Sequence, residues 1–129
     1  MGIILNFLSL CFVLLILILN NSEFAYGVGN VDWLLLKENK DGKEWIDMGS
    51  IKEINSEEIT VLTKYLKNPN ESSDKEQLSL YVMRINCNDN TFKDTSINGI
   101  PQFGSKWQTS KNDELIEVVI EKSCSERIN

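Results

Sequence analysis

The sequence predicts an α+β fold, a run of strands in one antiparallel sheet followed by one C-terminal helix. Three observations predict it. Glu58–Leu66 and Leu78–Cys87 alternate apolar and polar residues with a period of two. Turn formers recur between short apolar runs, at Asp41-Gly42, Gly49-Ser50, Asn88-Asp89-Asn90 and Asn98-Gly99. From Asp113 onward the apolar residues Leu115, Ile116, Val118, Val119 and Ile120 take up helical spacing.

The sheet begins after an apolar leader. Ile3 to Leu19 is interrupted only by Asn6 and Ser9, and its densest part, Phe7–Leu19, has the length of a signal-peptide core rather than of a spanning helix. Ala25-Tyr26-Gly27 sets small side chains where a signal peptidase reads them. The expected division is therefore a leader over 1–27 and one domain over 28–129. No Lys or Arg precedes Ile3, so an uncleaved membrane anchor is the competing reading. Cys11 follows Leu10, which is too large for a lipobox.

The strands follow in order. Val31–Leu36 is rich in strand formers. Asp41-Gly42 is a two-residue turn signal, because both residues tolerate positive φ, and Glu44–Met48 can return antiparallel. Gly49-Ser50 breaks that strand, and Ile51–Ile54 is a weak one. In Glu58–Leu66, Ile59, Val61, Thr63 and Tyr65 share one face, with Thr60, Leu62, Lys64 and Leu66 on the other. Asn68–Gln77 has no apolar residue except Pro69 and reads as a solvated, mobile loop. In the next strand Tyr81, Met83, Ile85 and Cys87 form an inward row, with Arg84 and Asn86 opposite. Thr91–Thr95 and Ile100–Phe103 are further short strands. Ser110 or Asn112 can cap the final helix, and Asp113 and Glu114 suit its positive end. Its β-branched run keeps a strand open as an alternative for Leu115–Ile120.

The cysteines bear on compartment. The 129-residue chain has three, and removing Cys11 with the leader leaves Cys87 and Cys124. In an oxidising envelope such a pair is expected as a disulfide, with two buried thiols as the alternative. Ile116, Ile120 and Cys124 lie on one helical stripe. Packing that stripe on the sheet would bring Cys124 towards Cys87.

Composition removes several chemistries. The chain has no histidine, which excludes Ser-His and Cys-His catalysis and the commonest metal ligand. Two cysteines without histidine do not make a structural zinc set, and no Gly-rich phosphate loop exists, so neither metal nor cofactor is expected. Asn39-Lys40-Asp41-Gly42 and Asn86-Cys87-Asn88-Asp89-Asn90 are rich in oxygen but read as turns rather than calcium loops. Glu57-Glu58 reads as a solvated face. The formal net charge of −6 argues against a nucleic-acid partner. Asn70-Glu71-Ser72 matches a glycosylation sequon, of consequence only in a eukaryotic host. The three tryptophans, Trp33, Trp45 and Trp107, are expected in core or sheet-face packing, with an exposed aromatic patch as the functional alternative.

A succession of short motifs then stands out. A Trp33-Leu34 strand opens the domain. An aromatic-x-Asp-x-x-Ser-Ile step follows as Trp45-Ile46-Asp47-Met48-Gly49-Ser50-Ile51. Ile85-Asn86-Cys87 ends a strand, and Trp107, Ser110 and a closing helix ending in Cys124 come last. In order and spacing, from Val31 to Cys124, this resembles the surface-adhesin protein E family of Gram-negative bacteria. The resemblance implies an antiparallel sheet of about six strands, with the C-terminal helix tied to its concave face by a Cys87–Cys124 disulfide. It also implies a surface location, binding of host extracellular-matrix proteins and dimers. The missing lipobox departs from a lipid-anchored member.

The functional expectation is an exported, non-catalytic protein of the periplasm or cell surface that binds an extracellular or envelope protein. The alternative is a periplasmic binding or accessory protein holding a small ligand on the concave face. A third reading, an enzyme using Asp47 and Glu58, is the least supported. Open sheet edges would allow a homodimer, and a membrane contact is expected only if the leader stays. Asp47, Ser50 and Ile51 are expected to be structural, satisfying backbone groups where the chain bends.

Overall fold

The structure, a computed structural model, describes residues 30–69 and 74–127. The leader, the sequon at Asn70–Ser72 and the centre of the 68–77 loop lie outside the described residues. Eight strands form one antiparallel sheet: β1 (Trp33–Glu38), β2 (Gly42–Asp47), β3 (Lys52–Glu53), β4 (Glu58–Lys67), β5 (Gln77–Asn86), β6 (Thr91–Ile97), β7 (Ile100–Pro101) and β8 (Gln108–Thr109). A 3-10 turn spans Met48–Ser50 and the helix α1 spans Glu114–Ser125. The main sheet order is β1-β2-β4-β5-β6-β7, with β3 added on β4 and β8 on β6. These last two are short, and the six strands of the main path match the expected number.

The period-two segments make the centre of the sheet. β4 and β5 pair over ten residues without a break, from Glu58 opposite Asn86 to Lys67 opposite Gln77. Their inward rows meet as Ile59–Ile85, Val61–Met83 and Thr63–Tyr81. A bulge between Val82 and Met83 shifts β6, so that Phe92 and Asp94 join this face opposite Ile85 and Met83. The core is Ile46, Ile59, Val61, Met83, Ile85 and Phe92 from the sheet with Val119 and Ile120 from α1. Burying each such side chain stabilises the fold by about 1.5–3 kcal/mol.

The turns are where expectation and structure part. Asn98 and Gly99 both take positive φ, as a two-residue hairpin turn requires. Asp41-Gly42 does not work that way. The β1–β2 turn is longer, and Asn39 Oδ1 accepts from the backbone N–H of Asp41 (2.8 Å) and Gly42 (3.1 Å). Gly42 already belongs to β2, and its φ is not positive. Glycine is needed there for space: a Cβ would lie 2.3 Å from Leu66 O and 2.7 Å from the Tyr65 ring.

The closing segment is helical, so its amphipathic pattern outweighs its β-branched content. Its N-cap is Asp113, not Ser110 or Asn112. The Asp113 carboxylate accepts from Leu115 N–H (3.1 Å) and Ile116 N–H (3.2 Å), while Asn112 is spent on a left-handed step with φ 67°. The most buried stripe runs through Leu115, Val119 and Ser123, with Ile116, Ile120 and Cys124 beside it. At the far end of α1, Cys124 is bonded to Cys87 just past β5, with the Cα atoms 5.7 Å apart.

Candidate binding site

Clamped at its C-terminal end by Cys87–Cys124, α1 crosses the sheet so that its first turn roofs the opposite end of the inward face. Lys37 of β1 reaches Glu114 there at 2.7 Å. Under this first turn lies a cavity of about 240 Å³. Its floor comes from five strands: Glu44 of β2, Thr63 and Tyr65 of β4, Tyr81 and Met83 of β5, Phe92 and Asp94 of β6, and Gln108 of β8. Asp113, Leu115 and Ile116 complete it from the helix side. A wider cleft shares Tyr65, Asp113 and Leu115 with it and extends towards the β1–β2 turn.

Glu44 is the unusual member. It alternates inward with Gly42 and Ile46, and only 3% of its surface is exposed. Burial, partly offset by the neighbouring Thr63 hydroxyl and reinforced by the fields of Asp113 and Asp94, pushes its pKa up to about 8. Its carboxyl is therefore protonated at neutral pH. Burial also raises Asp94 above the ordinary aspartate range. Among the described residues no Lys or Arg lines the cavity.

Sequence reasoning placed Glu44 in a returning strand and missed its burial in the cavity. The available signal was alternation: with Ile46 facing in, Glu44 must face in too.

The opposite face of the sheet carries different chemistry. The Lys64 ammonium lies 4.4 Å from the centre of the Trp33 ring and 4.6 Å from that of Trp45. The Lys93 ammonium lies 4.8 Å from the Trp107 ring. Such cation–π stacks hold the tryptophans against the sheet, so they serve sheet-face packing rather than the core. Around them Leu35 (47%), Leu78 (58%) and Leu80 (38%) stay exposed.

The residues singled out by motif are mostly structural. Asp47 Oδ1 accepts from Asp32 N–H (2.8 Å) and Gly49 N–H (3.1 Å). The Ser50 hydroxyl donates to Asp47 O (2.7 Å) and accepts from Leu62 N–H (2.8 Å), and Ile51 packs on the core. Asn86 Oδ1 accepts from the N–H of Asn88 (2.9 Å) and Asp89 (3.1 Å), which closes a turn. Glu57 is exposed. Glu58 is not on a merely solvated face as expected, because its carboxylate pairs with Arg84 across β4 and β5. Among the described residues no three acidic or cysteine side chains assemble as a metal site.

One antiparallel sheet, roofed on one face by a disulfide-held helix and open on the other, defines a small α+β domain. The chain belongs to the surface adhesin-E family, whose sequence profile matches residues 34–129. Neither a curated protein nor a solved structure gives a significant match. Membership makes it an adhesin-like envelope protein, and speaks for a non-enzymatic role and an exported, surface location.

Proposed function

We propose that the protein is an exported adhesin without catalytic activity, with residues 1–27 as its leader, and that it binds an extracellular protein through the open face of its sheet. The carrying observation is that face itself. Rigid Trp–Lys stacks sit between exposed leucines, and Phe103, almost wholly exposed at 96%, stands out from the loop after β7. Aromatic anchors on a rigid sheet supply contact area at low entropic cost. Family membership supports the same reading, with matrix proteins as the partner class to test first. Solid-phase binding of the purified protein to immobilised matrix proteins should saturate at micromolar concentration or below. Leu78→Ser and Phe103→Ser, both at exposed positions, should each weaken it about tenfold, within the range of an interface hot spot. Absence of saturable binding sinks the proposal. Sizing by light scattering tests whether two copies associate through the edge of β1.

The cavity beside Asp113 favours a second reading, in which the helix-covered face holds a small ligand in the envelope. A ligand-dependent thermal shift tests it.

A further inference from the structure

We propose that the cavity under the first turn of α1 binds a small organic cation, an ammonium group carried on an apolar body, with Glu44 as the innermost carboxyl and Asp94 and Asp113 beside it. This rests on the small-ligand reading and names its chemistry.

Three independent features converge on that class. The first is charge. Glu44, Asp94 and Asp113 line the cavity, and among the described residues no basic side chain does. The nearest lysine by register, Lys37 opposite Glu44, is held by Glu114. An anionic ligand would meet the acidic groups of Asp94 and Asp113 without a counter-ion, whereas a cation would be drawn in.

The second is the wall. Tyr65, Tyr81 and Phe92 present ring surfaces and Met83, Leu115 and Ile116 present apolar ones. Aromatic faces attract an ammonium through their quadrupole and shelter its hydrocarbon part. The third is size. A volume of about 240 Å³ is roughly eight waters' share of liquid volume, which suits a small aromatic amine and is far too little for a large cofactor. A metal ion is the poorer occupant, since the acidic groups do not cluster as metal ligands.

Glu44 also needs an explanation that packing does not provide. It occupies a fully inward position on β2, next to Ile46 and opposite Tyr65. A leucine there would bury more cheaply, and breaches of local rules concentrate at functional sites. An arriving ammonium would restore what burial removes, by pairing with the ionised carboxylate. Binding should therefore release a proton from Glu44 near neutral pH, and affinity should rise with pH. The groups facing Glu44 are Asp94 from β6, Asp113 from the start of α1, Tyr65 from β4 and Tyr81 from β5, with Lys37 on β1 engaged by Glu114.

The test is isothermal titration of the purified full chain with phenethylamine, phenylacetate and 2-phenylethanol at pH 6.5 and pH 8.5. These probes share a ring and differ in charge. Phenethylamine should bind, and bind up to roughly twenty-five-fold more tightly at pH 8.5, the ratio of ionised carboxyl for a pKa near 8. Glu44→Gln keeps the shape of the protonated acid, and should lose at least tenfold in affinity together with the pH dependence. Asp94→Asn, at a half-exposed position, should weaken binding with the fold intact by circular dichroism. If phenylacetate or 2-phenylethanol binds as tightly as the amine, the cation class is overturned while the small-ligand reading stands. If none of the three binds to folded protein, both fall.

Discussion

The Thr63 hydroxyl of β4 is the polar neighbour of the Glu44 carboxyl of β2, and both side chains are buried beneath the first turn of α1. That one polar neighbour does not offset the loss of water around the carboxylate, so the proton stays on to about pH 8 in the folded protein. In the unfolded chain the same group ionises at its ordinary value of 4.5. Between those values the folded state holds one more proton than the unfolded one. Stability from this group is therefore complete below about pH 4.5 and falls as pH rises to about 8, by up to about 1.4 kcal/mol per pH unit. Urea unfolding at pH 5, 7 and 9 should show this decline in the wild type. Glu44→Gln should show a flatter profile and be the more stable protein by a few kcal/mol at pH 9. Equal slopes in the two proteins would show that Glu44 is not buried as a neutral acid.

How far the sequence reached can be judged at particular residues. Alternation in β4 and β5 placed Ile59, Val61, Met83 and Ile85 on one face because a half-buried sheet imposes a period of two on its sequence. The Cys87–Cys124 pair was legible because both cysteines extend inward rows. The cavity was not, because it needs the relative placement of five strands and a helix end, and no local pattern encodes that. Asp41-Gly42 misled for a related reason. The dipeptide signals a turn, but Gly42 is selected by the approach of Leu66, more than twenty residues later in the chain. The cap was misplaced, by one residue from Asn112 or three from Ser110, because all three of Ser110, Asn112 and Asp113 are good caps and only the backbone path decides among them.

The disulfide should be a large part of the net stability. Cys87 and Cys124 are 37 residues apart in sequence, and closing a loop of that length removes unfolded-state entropy worth about 3–4 kcal/mol. The Cys87→Ser/Cys124→Ser double variant should lose about that much in urea unfolding, against a domain total of order 5–15 kcal/mol. Because the bond holds the end of α1 remote from the cavity, the helix should loosen first. Amide exchange in α1 should accelerate before exchange in β4 and β5 does. Uniform acceleration through the sheet would show that helix and sheet open as one unit.

Two glycines make a matched pair for the space argument. At Gly42 a Cβ would fall 2.3 Å from the Leu66 carbonyl, and backbone rather than a flexible side chain must then move. Gly42→Ala should cost about 1–3 kcal/mol through this overpacking and weaken the β2–β4 pairing. At Gly49 the nearest atom to a Cβ would be Asp47 Oδ1 at 3.5 Å, an ordinary contact, and its φ is not positive. Gly49→Ala should lie within about 0.5 kcal/mol of the wild type, or slightly above it, since alanine restricts the unfolded chain. Denaturation midpoints of the two variants at one pH check both values.

Ser123 offers a gain instead of a loss. It is fully buried on α1, in the stripe with Leu115 and Val119, and its hydroxyl has no hydrogen-bond partner among the described residues. A buried hydroxyl without a partner forfeits its bonds to water, a loss of about 1–3 kcal/mol. Alanine removes that group, leaves almost no void and is the better helix former by a few tenths of a kcal/mol. Ser123→Ala should therefore stabilise the domain by about 1 kcal/mol or more. Ser125 is the control. It is exposed, and its hydroxyl donates to the Lys122 carbonyl at 2.7 Å. Ser125→Ala trades one water-accessible bond for helix propensity and should stay near zero. A destabilised Ser123→Ala would mean that the hydroxyl is satisfied in solution, most simply by a buried water, and a high-resolution crystal structure of the helix–sheet interface would show that water.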